Sequence, residues 1–541
     1  MWQQDYTPVG DSLGLSALAA ALPIFALLYL LGLRRKPAWV AALCGLGAAG
    51  VVAAIVYGMP AGLLMSSVAY GAAFGLFPIG WVVFTAILLY NITVEMGKFE
   101  IIKDSIGGLS EDRRLQALLI AFAFGAFIEG AAGFGSPVAV AAAMLTGLGF
   151  SPFYAAGICL LANTAPVAFG SIGTPLLTLA GITDLPLDRL SAGVGRICAP
   201  VSLIVPAYLV LVMGGWRALR GVLPAAAACG VSFALTQFLV SNYVGPQLTD
   251  ILSSLAAIGA LVVLFRFWQP RDNFTLEGEH LEPHTLRKHP AGEVFLAWLP
   301  YLLLIVCILA FQWKPLKAML DSTTLVFPWP GLHHQIEQVA PVVKSASPYR
   351  ALYTFNWLTA PGTACLIASL LAALFLGMSP ARFARVFWQT TRKLLLAEVT
   401  IASVLGLAFL MNYSGATATL GLAFAATGVL FPFFSAMLGW LGVFLTGSDT
   451  SANALFGNLQ VVTAGRLDLN PVLMAASNSS GGVMGKMISL QSIAVAAAAT
   501  GMPPAEEGRL FRFTLRHSVL LASVLGLVVV VYAYVLPQFA P

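Results

Sequence analysis

Apolar runs long enough to cross a membrane recur through this chain from Leu15 to Val535, separated by short links. A hydrocarbon core of ~30 Å takes about 20 helical residues to cross, and within it the backbone must satisfy its own hydrogen bonds. The rest of the composition agrees. Hydrophobic residues make up 59% of the 541 and charged residues 9%, against roughly 25% charged in an ordinary soluble domain. The chain therefore reads as one all-α polytopic membrane domain over residues 1–541, with about 12–14 transmembrane helices. The first run, Leu15 to Leu33, has no basic flank before it and no small-residue cleavage site after it. That predicts a retained helix and not a signal peptide, with the mature N-terminus at Met1.

The six cysteines, Cys44, Cys159, Cys198, Cys229, Cys307 and Cys365, lie in or at the edges of apolar runs with no CxxC spacing. This is the pattern of small apolar core residues, and no metal or other cofactor is predicted. The net charge of +5 comes largely from Lys and Arg in loops, where the positive-inside rule operates. It implies no nucleic-acid partner.

Basic clusters mark the cytoplasmic loops: Arg34, Arg35 and Lys36; Lys98, Lys103, Arg113 and Arg114; Arg217 and Arg220; Arg266, Arg271, Arg287 and Lys288; Arg382, Arg385, Arg392 and Lys393; Arg509, Arg512 and Arg516. The N-terminus is then outside, the helix from Val68 to Tyr90 ends inside, and the link from Thr183 to Ser191 is outside. An odd number of crossings must fit between Arg114 and Thr183, yet two apolar stretches lie there, 115–149 and 153–182. Parity is restored if the first is a re-entrant hairpin that enters and leaves on the cytoplasmic side. Its arms, Leu115 to Ile128 and Ser136 to Gly149, have 14 residues each, about 21 Å at 1.5 Å per residue, too short to span. "EGAAGFGSP" (129–137) would be the tip: Gly130, Gly133 and Gly135 supply the turn and Pro137 opens the return arm. The alternative is one long tilted helix with a kink.

Two weak matches suggest an internal repeat. "GAFIEGA" (125–131) resembles "GVFLTGS" (442–448), and "NTAPVAFG" (163–170) resembles "NSSGGVMG" (478–485), at offsets of 317 and 315. Charge counting in the second half predicts a hairpin with arms near 433–446 and 451–464, its tip at Gly447 and Ser448, entering from outside. An interrupted span, 471–500, follows and ends at the Arg509 cluster. The halves, approximately 68–213 and 393–536, are then inverted repeats, each with a re-entrant hairpin and a discontinuous helix, as in many secondary transporters. The section at approximately 214–380 would supply linking scaffold helices, and the loop from Lys314 to Arg350 would be external.

The blocks "FGAFIEGAAGFGSPVA" (124–139), "NTAPVAFG" (163–170), "GWLGVFLTGSDTSANALF" (439–456), "NSSGGVMGKMIS" (478–489) and "LFRFT" (510–514), with the opening "WQQDYTP" (2–8), resemble the bacterial lactate permease family from end to end. The resemblance implies a transporter, not an enzyme, that imports L-lactate, D-lactate and glycolate with protons across the inner membrane. The N-terminus would then be periplasmic. One departure is "ISLQ" (488–491), where relatives read Ile-Ser-Pro-Gln; Leu490 replaces a helix breaker.

A carrier of this kind needs an anion site and a group that binds and releases a proton. Half-helix N-termini aim unpaired N–H groups at anions. Asn163 and Thr164, and Asn478, Ser479 and Ser480, would place side-chain donors beside them, and Lys486 would supply a counter-charge. Glu129 and Asp449 are the intramembrane acids and the candidates for proton coupling. Glu398 follows Arg392 and Lys393 and reads as half of an interfacial ion pair. Architecture alone also admits a sodium-coupled carboxylate symporter or an antiporter-like subunit of a proton-pumping complex. An HExxH motif is absent. Oligomeric state stays open, a homodimer among the options.

Overall fold

The computed structural model describes residues 1–133, 135–272, 274 and 287–540. Among them, ten helices are long and apolar enough to cross a membrane, or eleven with the bent pair Pro152–Ala162 and Val167–Thr183 taken as one span. The 57-residue helical stretch Leu187–Tyr243 is far too long for one crossing and turns back at Gly214 and Gly215. Its two ends meet, where Ser191 Oγ donates to the Ser241 carbonyl at 2.8 Å and Arg196 Nε to Asn242 Oδ1 at 2.9 Å.

The basic clusters gather at one end of the bundle. Arg114, its side chain fully buried, pairs with Asp112 at 2.7 Å and Asp272 at 2.8 Å and donates to the Ala218 carbonyl. It thereby ties three of the basic loops together. His289 meets Asp104 at 2.9 Å, Arg382 meets Glu95 at 2.8 Å, and Arg509 stacks 4.4 Å over the ring of Phe153. Helix Pro380–Ser414, 35 residues and about 50 Å long, carries the chain from Arg382 to the other end. There Gln4 Nε2 donates to the carbonyls of Asn412 and Tyr413.

That second end also holds the segment read as an external loop, which is not irregular throughout. Leu325–Pro328 pairs antiparallel with Leu352–Phe355, and Ile336–Gln338 pairs in parallel with Trp2–Gln3. The N-terminus and this segment therefore lie on one face, opposite the basic loops.

The first hairpin differs from its expected form. Its leading arm is one helix, Arg113–Ala131, of 19 residues. At about 28 Å it is long enough to match the hydrocarbon core, so shortness is not what makes it a hairpin. The turn does so: the return helix Ser136–Gly147 has 12 residues, and Arg113 Nη1 donates to the Leu148 carbonyl at 2.6 Å, so both arms begin and end at the basic face. Glu129 and Gly130 sit in the last helical turn and not in the tip, because the Ala132 and Gly133 amides still bond to the Ile128 carbonyl. The tip is carried by Gly133 (φ 62°) and Gly135 (φ 81°), left-handed conformations that need glycine. Phe134 lies outside the described residues.

The second hairpin joins Phe431–Thr446 to Asp449–Arg466 through Gly447 (φ 72°) and Ser448, whose side chain caps the second arm. It opens toward the other face: Arg466 lines a cavity of about 600 Å³ together with Gln4, Asp5 and Tyr6. Cysteines introduced at Arg217 and at Lys344, in a chain lacking its native cysteines, should react with an impermeant maleimide from opposite sides of the membrane. Labelling of both from one side would contradict this arrangement.

Candidate functional site

Each hairpin tip is bonded to the interrupted helix that follows it. In the first half, the helix Pro152–Ala162 stops at Asn163 and resumes through Val167–Phe169 into Gly170–Thr183, with a bend of 64°. Ser171, Ile172 and Gly173 are left-handed, and Ser171 Oγ donates to the tip carbonyl of Ala132 at 2.7 Å. In the second half, Pro471–Lys486 is followed by a break at 487–489 and by Leu490–Thr500. Lys486 Nζ donates to the tip carbonyl of Gly447 at 2.5 Å. Leu490 takes the first helical position without proline, because Ser489 caps the helix by accepting from the Ser492 amide.

Asn478, Ser479 and Ser480 are not at this break but inside the preceding helix, six to eight residues before Lys486. Glycines keep that helix regular and close to its neighbour. A Cβ on Gly439 would fall onto the Asn478 carbonyl oxygen, and one on Gly481 onto that of Ala436. The break is therefore delayed to Met487, where this close packing ends.

The charged groups converge. Glu129, Asp449 and Lys486 are 5%, 3% and 8% exposed, and Lys486 is within electrostatic reach of both acids. Asp449 Oδ2 accepts from Ser479 Oγ at 2.6 Å and from Asn453 Nδ2 at 3.4 Å. Glu129 lies against Gly170, where a Cβ would come within 2.6 Å of its Oε1. Its Oε2 has no hydrogen-bond partner.

Hydrogen-bond accounting separates the candidate substrate contacts. Asn478 is spent: its Nδ2 donates to Asn453 Oδ1 at 2.9 Å, and its Oδ1 accepts from Gln460 Nε2 at 3.1 Å. Gln460 in turn exchanges bonds with Ser435. Thr164 Oγ1 donates to the Leu161 carbonyl, a bond within its own helix end, and Ser479 serves Asp449. Asn163 keeps both Oδ1 and Nδ2 unpaired, and Ser480 keeps its Oγ unpaired, all buried. A buried polar atom without a partner costs about 1–3 kcal/mol, so these are the atoms with most to gain from a polar ligand.

Sequence reasoning missed four members. Asn453 and Gln460 lie four and eleven residues after Asp449 on the same helix, so one polar face of an apolar helix was there to be read. Asn453 also donates to the Pro175 carbonyl at 3.1 Å, joining the second hairpin to the first interrupted helix. Ser435 gave no signal of its own. Asp250, 1% exposed beside Gly130, also escaped notice. Glu398 makes no ion pair with Arg392 or Lys393; its carboxylate lies against Gly80, and Oε1 has no partner. Asn478→Ala should cost about 1–3 kcal/mol of stability by orphaning Asn453 and Gln460, read as a lower melting temperature, whereas Asn163→Ala should leave it unchanged.

The chain's residues 16–536 match the family model described as L-lactate permease. It is 45% identical to an L-lactate permease of Bacillus subtilis (strain 168), with 100% of both chains covered. It is 44% identical to a glycolate permease of Escherichia coli (strain K12), covering 99% of this chain and 98% of that one. It is 43% identical to an L-lactate permease of the same Escherichia coli strain, again over 100% of both.

Proposed function

We propose, from the premise that the chain belongs to the L-lactate permease family, that it imports L-lactate, D-lactate and glycolate by proton symport across the bacterial inner membrane, with its N-terminus in the periplasm. The observation that carries the reading is that each half brings a buried polar group to its helix break beside a hairpin tip, the unspent amide of Asn163 in the first and the ammonium of Lys486 in the second.

A 2-hydroxy acid presents a carboxylate and an adjacent hydroxyl. The Asn163 Nδ2 can donate to the carboxylate while Oδ1 accepts from the hydroxyl, and Ser480 Oγ can do either. Lys486 balances the anion's charge. Asn478, Ser479 and Thr164 act one step back, holding Asp449 and the helix ends in place. Importing an anion against a negative interior costs ~2.3 kcal/mol per 100 mV. A proton carried on Glu129 or Asp449 removes that cost and lets the pH gradient drive uptake.

The two hairpins open toward opposite faces and the two interrupted helices run in opposite senses. This supports inverted repeats at approximately 68–213 and 393–536 joined by the section at approximately 214–380. The site then lies between two halves that can rock against each other.

Radiolabelled L-lactate uptake into liposomes holding only this protein, with an inward proton gradient and no sodium, tests the reading. The wild type should accumulate lactate, and Lys486→Met should weaken lactate binding by about tenfold or more, roughly 1.4 kcal/mol. Uptake that requires sodium, or that succinate competes away, would replace this reading with a sodium-coupled carboxylate symporter.

A further inference from the structure

Helix Thr249–Phe265 belongs to the section read as linking scaffold, yet its first turn reaches the centre of the site. The preceding Pro246 packs against Gly173 in the first helix break, and a Cβ on Gly130 would come within 2.7 Å of the Asp250 Cβ and 3.1 Å of the Ile251 amide. Asp250 is thus set directly beside the last turn of the hairpin arm that carries Glu129. It is 1% exposed, and neither carboxylate oxygen has a hydrogen-bond partner. The hydroxyls around it are occupied: Thr249 donates to Gly245, Ser253 to Thr249 and Ser254 to Ile251, all backbone carbonyls. Glu129 Oε2 is likewise unpaired.

We propose that Glu129 and Asp250 form a coupled carboxyl dyad that carries one transported proton, so that the coupling site takes one of its two acids from outside the repeats. This rests on the proton-symport reading above.

The argument is one of charge. Asp250 faces Glu129 from the hairpin and Cys198 from Leu187–Tyr243. Glu129 faces Lys486 and, beyond it, Asp449. Glu129 and Asp449 therefore share one ammonium, Asp250 adds a third acid beside Glu129, and a bound substrate would add a further negative charge. Unpaired charges are not tolerated in an apolar interior, and neighbouring buried carboxyls do not both ionise. Asp449 has hydrogen bonds from Ser479 and Asn453 and the ammonium nearby, which suit an ionised group. Glu129 has only the ammonium, which it shares with Asp449, and Asp250 has neither a hydrogen bond nor a cation, so a proton on the pair removes the uncompensated charge. A proton taken from the periplasm onto the dyad and given up to the cytoplasm accompanies one anion, so no net charge crosses.

The test compares wild type, Asp250→Asn, Asp250→Glu and Glu129→Gln in proteoliposomes by two readouts. One is lactate counterflow, which needs no net proton movement; the other is accumulation driven by an imposed pH gradient, with proton entry followed by a trapped pH dye. The wild type should concentrate lactate about tenfold per pH unit. Asp250→Asn should still exchange lactate but lose accumulation and lactate-dependent proton entry, and Asp250→Glu should regain both. Wild-type accumulation matched by Asp250→Asn overturns the dyad and leaves proton symport standing. No accumulation by the wild type overturns proton symport and the dyad with it. Should Asp250→Asn fail to assemble, infrared spectra of the wild type decide. A protonated-carboxyl stretch at neutral pH that is lost or shifted in both Glu129→Gln and Asp250→Glu supports one proton on the coupled pair, and absence of that band from the wild type overturns it.

Discussion

A bilayer offers no hydrogen bonds, so a chain that breaks its helices at membrane depth must supply partners for every freed backbone group from within. Lys486 meets this demand directly. Its ammonium donates to the Gly447 carbonyl at the second hairpin tip from the end of the helix that then breaks. In the first half Ser171 does the same for the Ala132 carbonyl. One cationic and one neutral side chain thus stitch tip to break in the two halves, and the charge difference between them gives the site its sign.

The remaining polar groups divide into those that hold the site and those left open within it. The chain Asp449, Ser479, Asn453, Asn478, Gln460 and Ser435 is internally bonded and fixes the second hairpin on the following helix. Apart from Asp449 Oδ1, which has no partner, its side chains are bonded to one another, and connected polar networks of this kind specify geometry. Asn163, Ser480, Glu129, Asp250 and Asp449 retain unpaired buried atoms, and Glu129 and Asp449 lie within electrostatic reach of Lys486. A polar ligand is recognised by unspent bonds, so this second set, together with the ammonium, is where the chemistry of a small hydroxy acid fits.

Much of this was legible in the chain. Hydropathy and loop charge give spans and faces, since each is a local property of 20 or so residues. The basic loops do gather at one end, and the 314–350 segment and the N-terminus lie at the other. The "EGAAGFGSP" interruption marked a turn because glycines at 133 and 135 admit backbone that other residues avoid. Placement within the turn was less exact. Glu129 and Gly130 remain helical because nothing local stops the i to i−4 bonding before Ala132.

The sequence by itself determined that the chain is a multi-pass helical membrane protein, which of its faces is basic, and that acids and a lysine interrupt its apolar core. Its family followed from long matching blocks. Only the tertiary structure decided which polar atoms are spent: Asn163 and Asn478 have the same side chain beside similar motifs, yet one is unpaired and the other fully bonded. It also brought in Asp250, which in sequence is an ordinary acid in a helix's first turn. The physical reason is that burial and pairing are set by what packs opposite, and what packs opposite Asp250 is a hairpin 120 residues earlier in the chain.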